Sequence, residues 1–326
     1  MRGDLDAKAT IVDSVVMARL VYLDQNAWVM LSRGAWDRKR YPKEHTALTK
    51  VIESVRTNSI IVPLSSTNIY ETAKINNPDR RINLSRVQAL ISGGIVFRGR
   101  RRILDEQLTA LLATKASLSR IEPPHQWFLS NLWFEAAGDY SPQGFGFKIP
   151  DHVLDLVRRH PAQALFDYLA FGNEGRRLEA VRRFSASSSE LMARIEGNRA
   201  IVSAEPIAMR RRAYGARLIV DELDFILSTG RRLGLNWTSV SDLDASLVRN
   251  IIANVPILNV ERELVVRLES QPRGITENDL RDMIAFTTVL PLADVVVAEK
   301  PFVSLARQAR LGERYGTTML TSLFDL

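Results

Sequence analysis

Short apolar runs that end on a polar or acidic residue recur along this chain, and each leads into a stretch with apolar positions at helical spacing. Leu20 to Leu23 runs into Asp24, Ile60 to Leu64 runs into Ser65 to Asn68, and Ala293 to Ala298 ends in Glu299. Runs this short, bounded by polar residues, predict buried strands. Ile95 to Phe97 is a further strand candidate. After the first run, Ala27, Trp28, Val29, Met30 and Leu31 open a helix. Lys43 to Arg56 carries Leu48, Val51, Ile52 and Val55 on one helical face. The second run leads to a helix that bears Glu71 and stops before Asn76-Asn77-Pro78, a strong breaker. Strands alternating with helices predict an α/β fold around a parallel sheet.

The middle of the chain follows a different pattern. From 103 to 270 helical periodicity dominates, with helices expected over Asp151 to Arg159, Glu174 to Asn198 (weakest at Ser185 to Ser189), Pro206 to Thr229, Ser241 to Ile252 and Asn259 to Glu269. Gly138 to Pro150 reads as a loop. Ser304 to Arg310 and Tyr315 to Ser322 read as a last helix and a last strand, and residues 1 to 17 as a leader. Trp127, Phe128, Trp133 and Phe134 sit among Leu129 and Leu132, so core packing is their expected use and base stacking the alternative.

Position gives the acids their interest. In an open parallel sheet, ligands sit in the crevice beyond the carboxyl ends of the strands. Asp24 and Glu299 fall there, although an Asp before a helix also serves as an N-cap. Four stretches carry a resemblance: LDQN at 23–26, LSSTNIYE at 64–71, NDLRDM at 278–283 and VVVAEKPF at 295–302. In that order the chain resembles the PIN-domain family of metal-dependent nucleases. Glu299 stands where that family usually ends its last strand with Asp.

The resemblance implies a PIN-like three-layer α/β/α domain with a central parallel sheet, made from 15–97 and 272–326, with a large, basic, mainly helical insertion at 98–271. It implies Asp24, Glu71, Asp282 and Glu299 as catalytic and metal-ligating acids, and Mg²⁺ or Mn²⁺ as the cofactor. Asn26 and Ser65 are candidate orienting groups, Asp279 lies one helical turn before Asp282, and Asp294 is a rival for the fourth acid at the opposite end of its strand. The implied activity is endoribonuclease hydrolysis. A flap-type DNA nuclease and a non-catalytic binding scaffold of the same fold are the alternatives. The family includes toxins and defence effectors, so a regulatory protein partner is an expectation by analogy.

Charge supports a polyanionic partner. There are 44 Lys and Arg against 37 Asp and Glu, a net charge of +7. The densest basic run is Arg98, Arg100, Arg101 and Arg102, read either as a solvated loop or as phosphate contacts. Carboxylates suit a divalent metal, because two of them about 4 Å apart repel by about 4 kcal/mol at an effective dielectric of 20 unless a cation or proton intervenes.

Other chemistries find little footing. The chain has no cysteine, which excludes disulfides, thiolate catalysis and zinc ribbons and fits a cytoplasmic protein. A haloacid-dehalogenase-type phosphatase needs a second Asp where Asn26 stands. Phosphate-cradling glycine loops and a nucleophile elbow are absent from the sequence. His45, His125, His152 and His160 show no ligand spacing, and no apolar segment is long enough to span a bilayer.

Overall fold

The computed structural model describes residues 18–202 and 204–326; the expected leader at 1–17 lies outside the described residues. The strands are β1 (Arg19–Leu23), β2 (Ile60–Ile61), β3 (Val96–Phe97), β4 (Leu129–Ser130), β5 (Val295–Val297) and β6 (Thr318–Leu320). Four of them form a parallel sheet in the order β2-β1-β5-β6. β3 and β4 pair antiparallel, and β3 meets Leu64, three residues past the end of β2, through a parallel bridge from Val96.

The fold is mixed α/β and mostly helical. The first half carries α1 (Gln25–Trp36), α2 (Pro42–Arg56), α3 (Ser66–Ala73), α4 (Pro78–Ser92) and α5 (Arg100–Lys115). The middle carries α6 (Pro142–Phe145), α7 (Asp151–Arg159), α8 (Pro161–Phe171), α9 (Glu174–Val202), α10 (Ile207–Asp221), α11 (Leu223–Arg232), α12 (Ala245–Asn254) and α13 (Pro256–Leu268). The last part carries α14 (Glu277–Val289), α15 (Lys300–Gln308) and α16 (Leu311–Tyr315). No helix among the described residues is long and apolar enough to cross a membrane.

Alternation within β1 explains why its sequence is an unbroken apolar run. Leu20 and Tyr22 enter one core, while Val21 and Leu23 enter another. Successive strand side chains point to opposite faces, so a sheet covered on both sides needs apolar residues at every position. β5 repeats this, with Val296 in the first core and Val295 and Val297 in the second. α1, α2, α4 and α8 supply the second core through Trp28, Leu48, Leu84 and Leu165. The first core is larger and continuous, running from Tyr22 and Val296 through Phe286 and Val260 to Leu218 and Ile103. Residues 98–271 therefore contribute to both cores, α8 to one and α5 and α10 to α13 to the other.

Two helix boundaries depart from periodicity. The expected helix from Pro206 to Thr229 breaks at Glu222, which takes a non-helical ψ of 10° and accepts Arg100 and Arg101. The expected weak point at Ser185 to Ser189 stays helical within α9. There Phe184 stacks on Tyr70 at 3.9 Å, and Ser185 lies 3.1 Å from the Tyr70 hydroxyl. Tertiary partners override local propensity at both places.

Candidate active site

Asp24 follows β1 directly. Its backbone N–H donates to Val297 O at 2.9 Å, which extends the β1–β5 ladder by one step. Its Oδ1 accepts from Ala27 N at 2.8 Å, so Asp24 does cap α1. On the neighbouring strand Glu299 occupies the N-cap position of α15 but makes no capping hydrogen bond with its side chain. Asn26 Nδ2 donates instead to Glu299 Oε1. Register thus puts these two acids side by side at the carboxyl edge of the sheet, with Asn26 orienting one of them.

Glu71 and Asp282 arrive on helices. Ser65 is the N-cap of α3 in a capping box with Asn68: Ser65 Oγ accepts from Asn68 N, and Asn68 Oδ1 accepts from Ser65 N at 3.0 Å. The amide of Asn68 also donates to Leu23 O at 3.3 Å, tying the start of α3 to the end of β1. Ser65 therefore anchors the helix that carries Glu71. Gln25, Thr72 and Gln88 close a further ring of side-chain hydrogen bonds among α1, α3 and α4.

Asp282 sits one turn into α14, whose start is held by Thr276 and Asp279 in a second capping box. Asp279 is fully engaged there. It takes a two-pronged ion pair from Arg273, with both contacts at 2.6 Å, and hydrogen bonds from Thr276 N and Oγ1. Burial works against its charge, but Arg273 and Thr276 outweigh that and hold its carboxyl below the usual range. Its work is to start the helix rather than to support the acids.

The four acids share one electrostatic environment. Burial pushes Asp24 up to about 6; the Ala27 N–H opposes this, and the Glu299 carboxylate adds to it. Burial pushes Glu71 up to about 7, against the pull of Arg281 and with a further push from Asp24. Asp282 goes furthest, to about 8, through burial and then the carboxylates of Glu299, Glu71 and Asp24. Mutual repulsion among acids from four separate segments marks a common site. The counter-charge is Arg281, only 7% exposed, with Nε 3.5 Å from Glu71 Oε1. Sequence reasoning passed over Arg281, and its only signal is its place beside Asp282.

Among the described residues, no three His, Cys, Asp or Glu side chains are gathered tightly enough to hold a metal ion. Asn26 and Arg281 draw the carboxylates of Glu299 and Glu71 toward themselves. The donor set nevertheless fits Mg²⁺ or Mn²⁺ in kind, being all oxygen and carrying an excess of negative charge. A groove of about 300 Å³ opens on Asp24, Asn26 and Glu299. Its rim includes Lys300, which is exposed and has no ion-pair partner among the described residues.

The other expected residues lie elsewhere. Asp294, at the start of β5, accepts from Leu20 N at 2.6 Å at the opposite edge of the sheet. The basic run is tied up internally. Arg98 pairs with Glu135 and Asp139, Arg100 with Glu222 and Glu261, Arg101 with Glu222, and Arg102 with Glu106 and Asp139. Arg101 also lies 3.5 Å above the Phe225 ring. These arginines join α5 to its neighbours, a use that charge density alone does not reveal.

No family model matches this chain, and neither a curated protein nor a solved structure matches it.

Proposed function

We propose that this chain is a metal-dependent nuclease that hydrolyses RNA phosphodiester bonds, built on a PIN-like three-layer α/β/α domain. One observation carries the reading: burial and one another's charge raise the proton affinity of Asp24, Glu71 and Asp282, and the Glu299 carboxylate adds to that rise at each of them. Carboxylates that repel one another lower stability, so a fold that sets the half-buried Asp24, Glu71 and Asp282 beside the exposed Glu299 needs a cation or protons to offset the repulsion.

Asp24 and Asp282 would hold Mg²⁺ or Mn²⁺ directly, with Glu71 and Glu299 bound directly or through water. When bound, such a cation neutralises phosphate charge and lowers the pKa of water. Asn26 would orient Glu299, whose carboxylate its amide already holds. Arg281 balances Glu71 so that the helix bearing Asp282 can pack against α3. Lys300, on the rim of the groove, would meet a backbone phosphate. A net charge of +7 favours a polyanion as substrate. The second reading, a non-catalytic scaffold, is favoured by the looseness of the acids as they lie.

The test compares the wild type with Asp24→Asn on labelled single-stranded RNA, and on DNA of the same sequence, in Mg²⁺, Mn²⁺ or EDTA. The wild type should cleave RNA only with metal. The variant should lose cleavage by about 100-fold or more while RNA binding changes little. Binding without cleavage by the wild type in either metal replaces the nuclease with the scaffold. Preferential cleavage of DNA replaces RNA as the substrate.

A further inference from the structure

We propose that a cavity at the carboxyl end of α3 is a nucleobase pocket, which receives a base from a nucleotide near the cleaved phosphate; the course of the strand rests on the nuclease reading above. The cavity holds about 310 Å³. A volume at the small end of the ligand-pocket range suits one flat heterocycle. Trp133 and Tyr168 stack at 3.6 Å, and Phe134 stands edge-on to Trp133 at 5.4 Å. Trp133, Phe134 and Tyr168 all line the cavity, and Phe147, 59% exposed, stands at its rim. Trp133 and Phe134 are among the aromatics expected to pack in the core; Trp133 and Tyr168 do pack against the second core, and their remaining surface lines the cavity.

The polar groups around the cavity point the same way. Burial alone raises the Tyr168 hydroxyl, which has no hydrogen-bond partner among the described residues. Arg176 lines the cavity, is exposed, and makes no ion pair among the described residues. Aromatic faces with a free guanidinium beside them are what stacking on single-stranded nucleic acid requires. A purely apolar occupant would leave both groups unused.

Position links the pocket to the acids. Ala73 forms part of its wall, and Glu71 lies two residues earlier on the same helix. Two residues advance about 3 Å along a helix and turn to its opposite side. A strand lying on Glu71 therefore reaches the cavity by crossing the last turn of α3. That span fits a base within a few nucleotides of the phosphate at the acids.

The test uses a fluorescein-labelled, unstructured single-stranded RNA 12-mer in EDTA, so that binding is read without cleavage. A set of versions each carries one abasic position. One position, or two adjacent ones, should weaken binding by about 5- to 100-fold, the range expected for one stacked base. That penalty should fall below about 2-fold in Tyr168→Leu. Should Tyr168→Leu fail to fold, Arg176→Ala, an exposed site, should shrink the same penalty. An even loss across all positions, or a penalty unchanged in both variants, overturns the pocket. RNA cleavage in Mg²⁺ or Mn²⁺ with no abasic penalty sinks the pocket alone. An abasic penalty without cleavage sinks the nuclease reading and leaves the pocket standing.

Discussion

Arg281 places its Nε 3.5 Å from Glu71 Oε1, and that nitrogen is buried without a hydrogen bond. The same guanidinium reaches Glu277 at 3.5 Å and donates to Asn278. Its charge opposes the upward push on both Glu71 and Asp282. Arg281 thus serves as a fixed internal counter-ion for acids that otherwise repel one another.

Replacing that counter-ion should have a defined signature. Arg281→Met should lower stability in EDTA by about 2 kcal/mol. This is less than the 3–5 kcal/mol typical of a broken buried pair, because Glu71 can take up a proton near neutral pH. For a chain this long the shift in Tm is on the order of 3 °C. Added Mn²⁺ should then stabilise the variant more than the wild type, since a cation no longer competes with a resident charge. Thermal melts with and without MnCl₂ check both, and an unchanged melt in EDTA would show that the pair contributes nothing.

Stability should also vary with pH in a predictable direction. The folded-state values of about 6, 7 and 8 for Asp24, Glu71 and Asp282 lie above the ordinary carboxylate range near 4. Between about pH 4 and pH 8 the folded chain therefore binds more protons than the unfolded one. Their contribution is fully present below about pH 4 and is lost as pH rises through those values. Glu269, pushed by burial to about 7, acts in the same sense. In EDTA the Tm should fall from pH 5 to pH 8. The slope should flatten in Asp282→Asn, with the share from Glu269 remaining. A Tm that rises across this window would contradict the site's electrostatics.

The strands and two of the acids were legible because their causes are local. A run such as Leu20 to Leu23 is apolar at every position because both faces are covered, and Asp24 and Glu299 simply mark where such runs stop. What stayed hidden depends on residues far apart. The hydrogen bond from Asn26 to Glu299 joins positions 273 apart. Arg281 is one basic residue among 44 until α14 and α3 are packed together. The break between α10 and α11 exists because Glu222 receives Arg100 and Arg101, so helical periodicity could not foresee it. Asp279 reads as a site acid by type, and only its ion pair with Arg273 ties it to the start of α14; Asp294 lies at the far edge of the sheet, as its place at the start of its strand indicates.

Asn26 offers a cleaner probe of the acids than any acid does, since changing it leaves their charge alone. Partners that orient ligating groups typically contribute 10–100-fold to metal affinity or activity. Asn26→Ala should therefore lower cleavage by about 10-fold or more and raise the Mn²⁺ concentration needed for half-maximal rate, with a melt close to that of the wild type. Asn26→Asp should not rescue, because it replaces the amide donor with another negative charge. Equal activity in Asn26→Ala would mean that Glu299 needs no orientation.

The basic run at 98–102 should behave as structure. Arg100 joins Glu222 at 2.6 Å and Glu261 at 2.8 Å, linking α5 to the α10–α11 break and to α13. Removing it leaves two carboxylates, each only about a tenth exposed, short of a partner. Arg100→Met should cost about 3 kcal/mol in urea unfolding, as for a broken buried pair. A phosphate contact behaves differently: its loss weakens binding to every sequence alike and reduces the slope of log K against log salt by about 1. RNA affinity measured by anisotropy at several KCl concentrations should keep its slope in this variant. A slope reduced by about 1 in a folded Arg100→Met would put the run back on the nucleic acid.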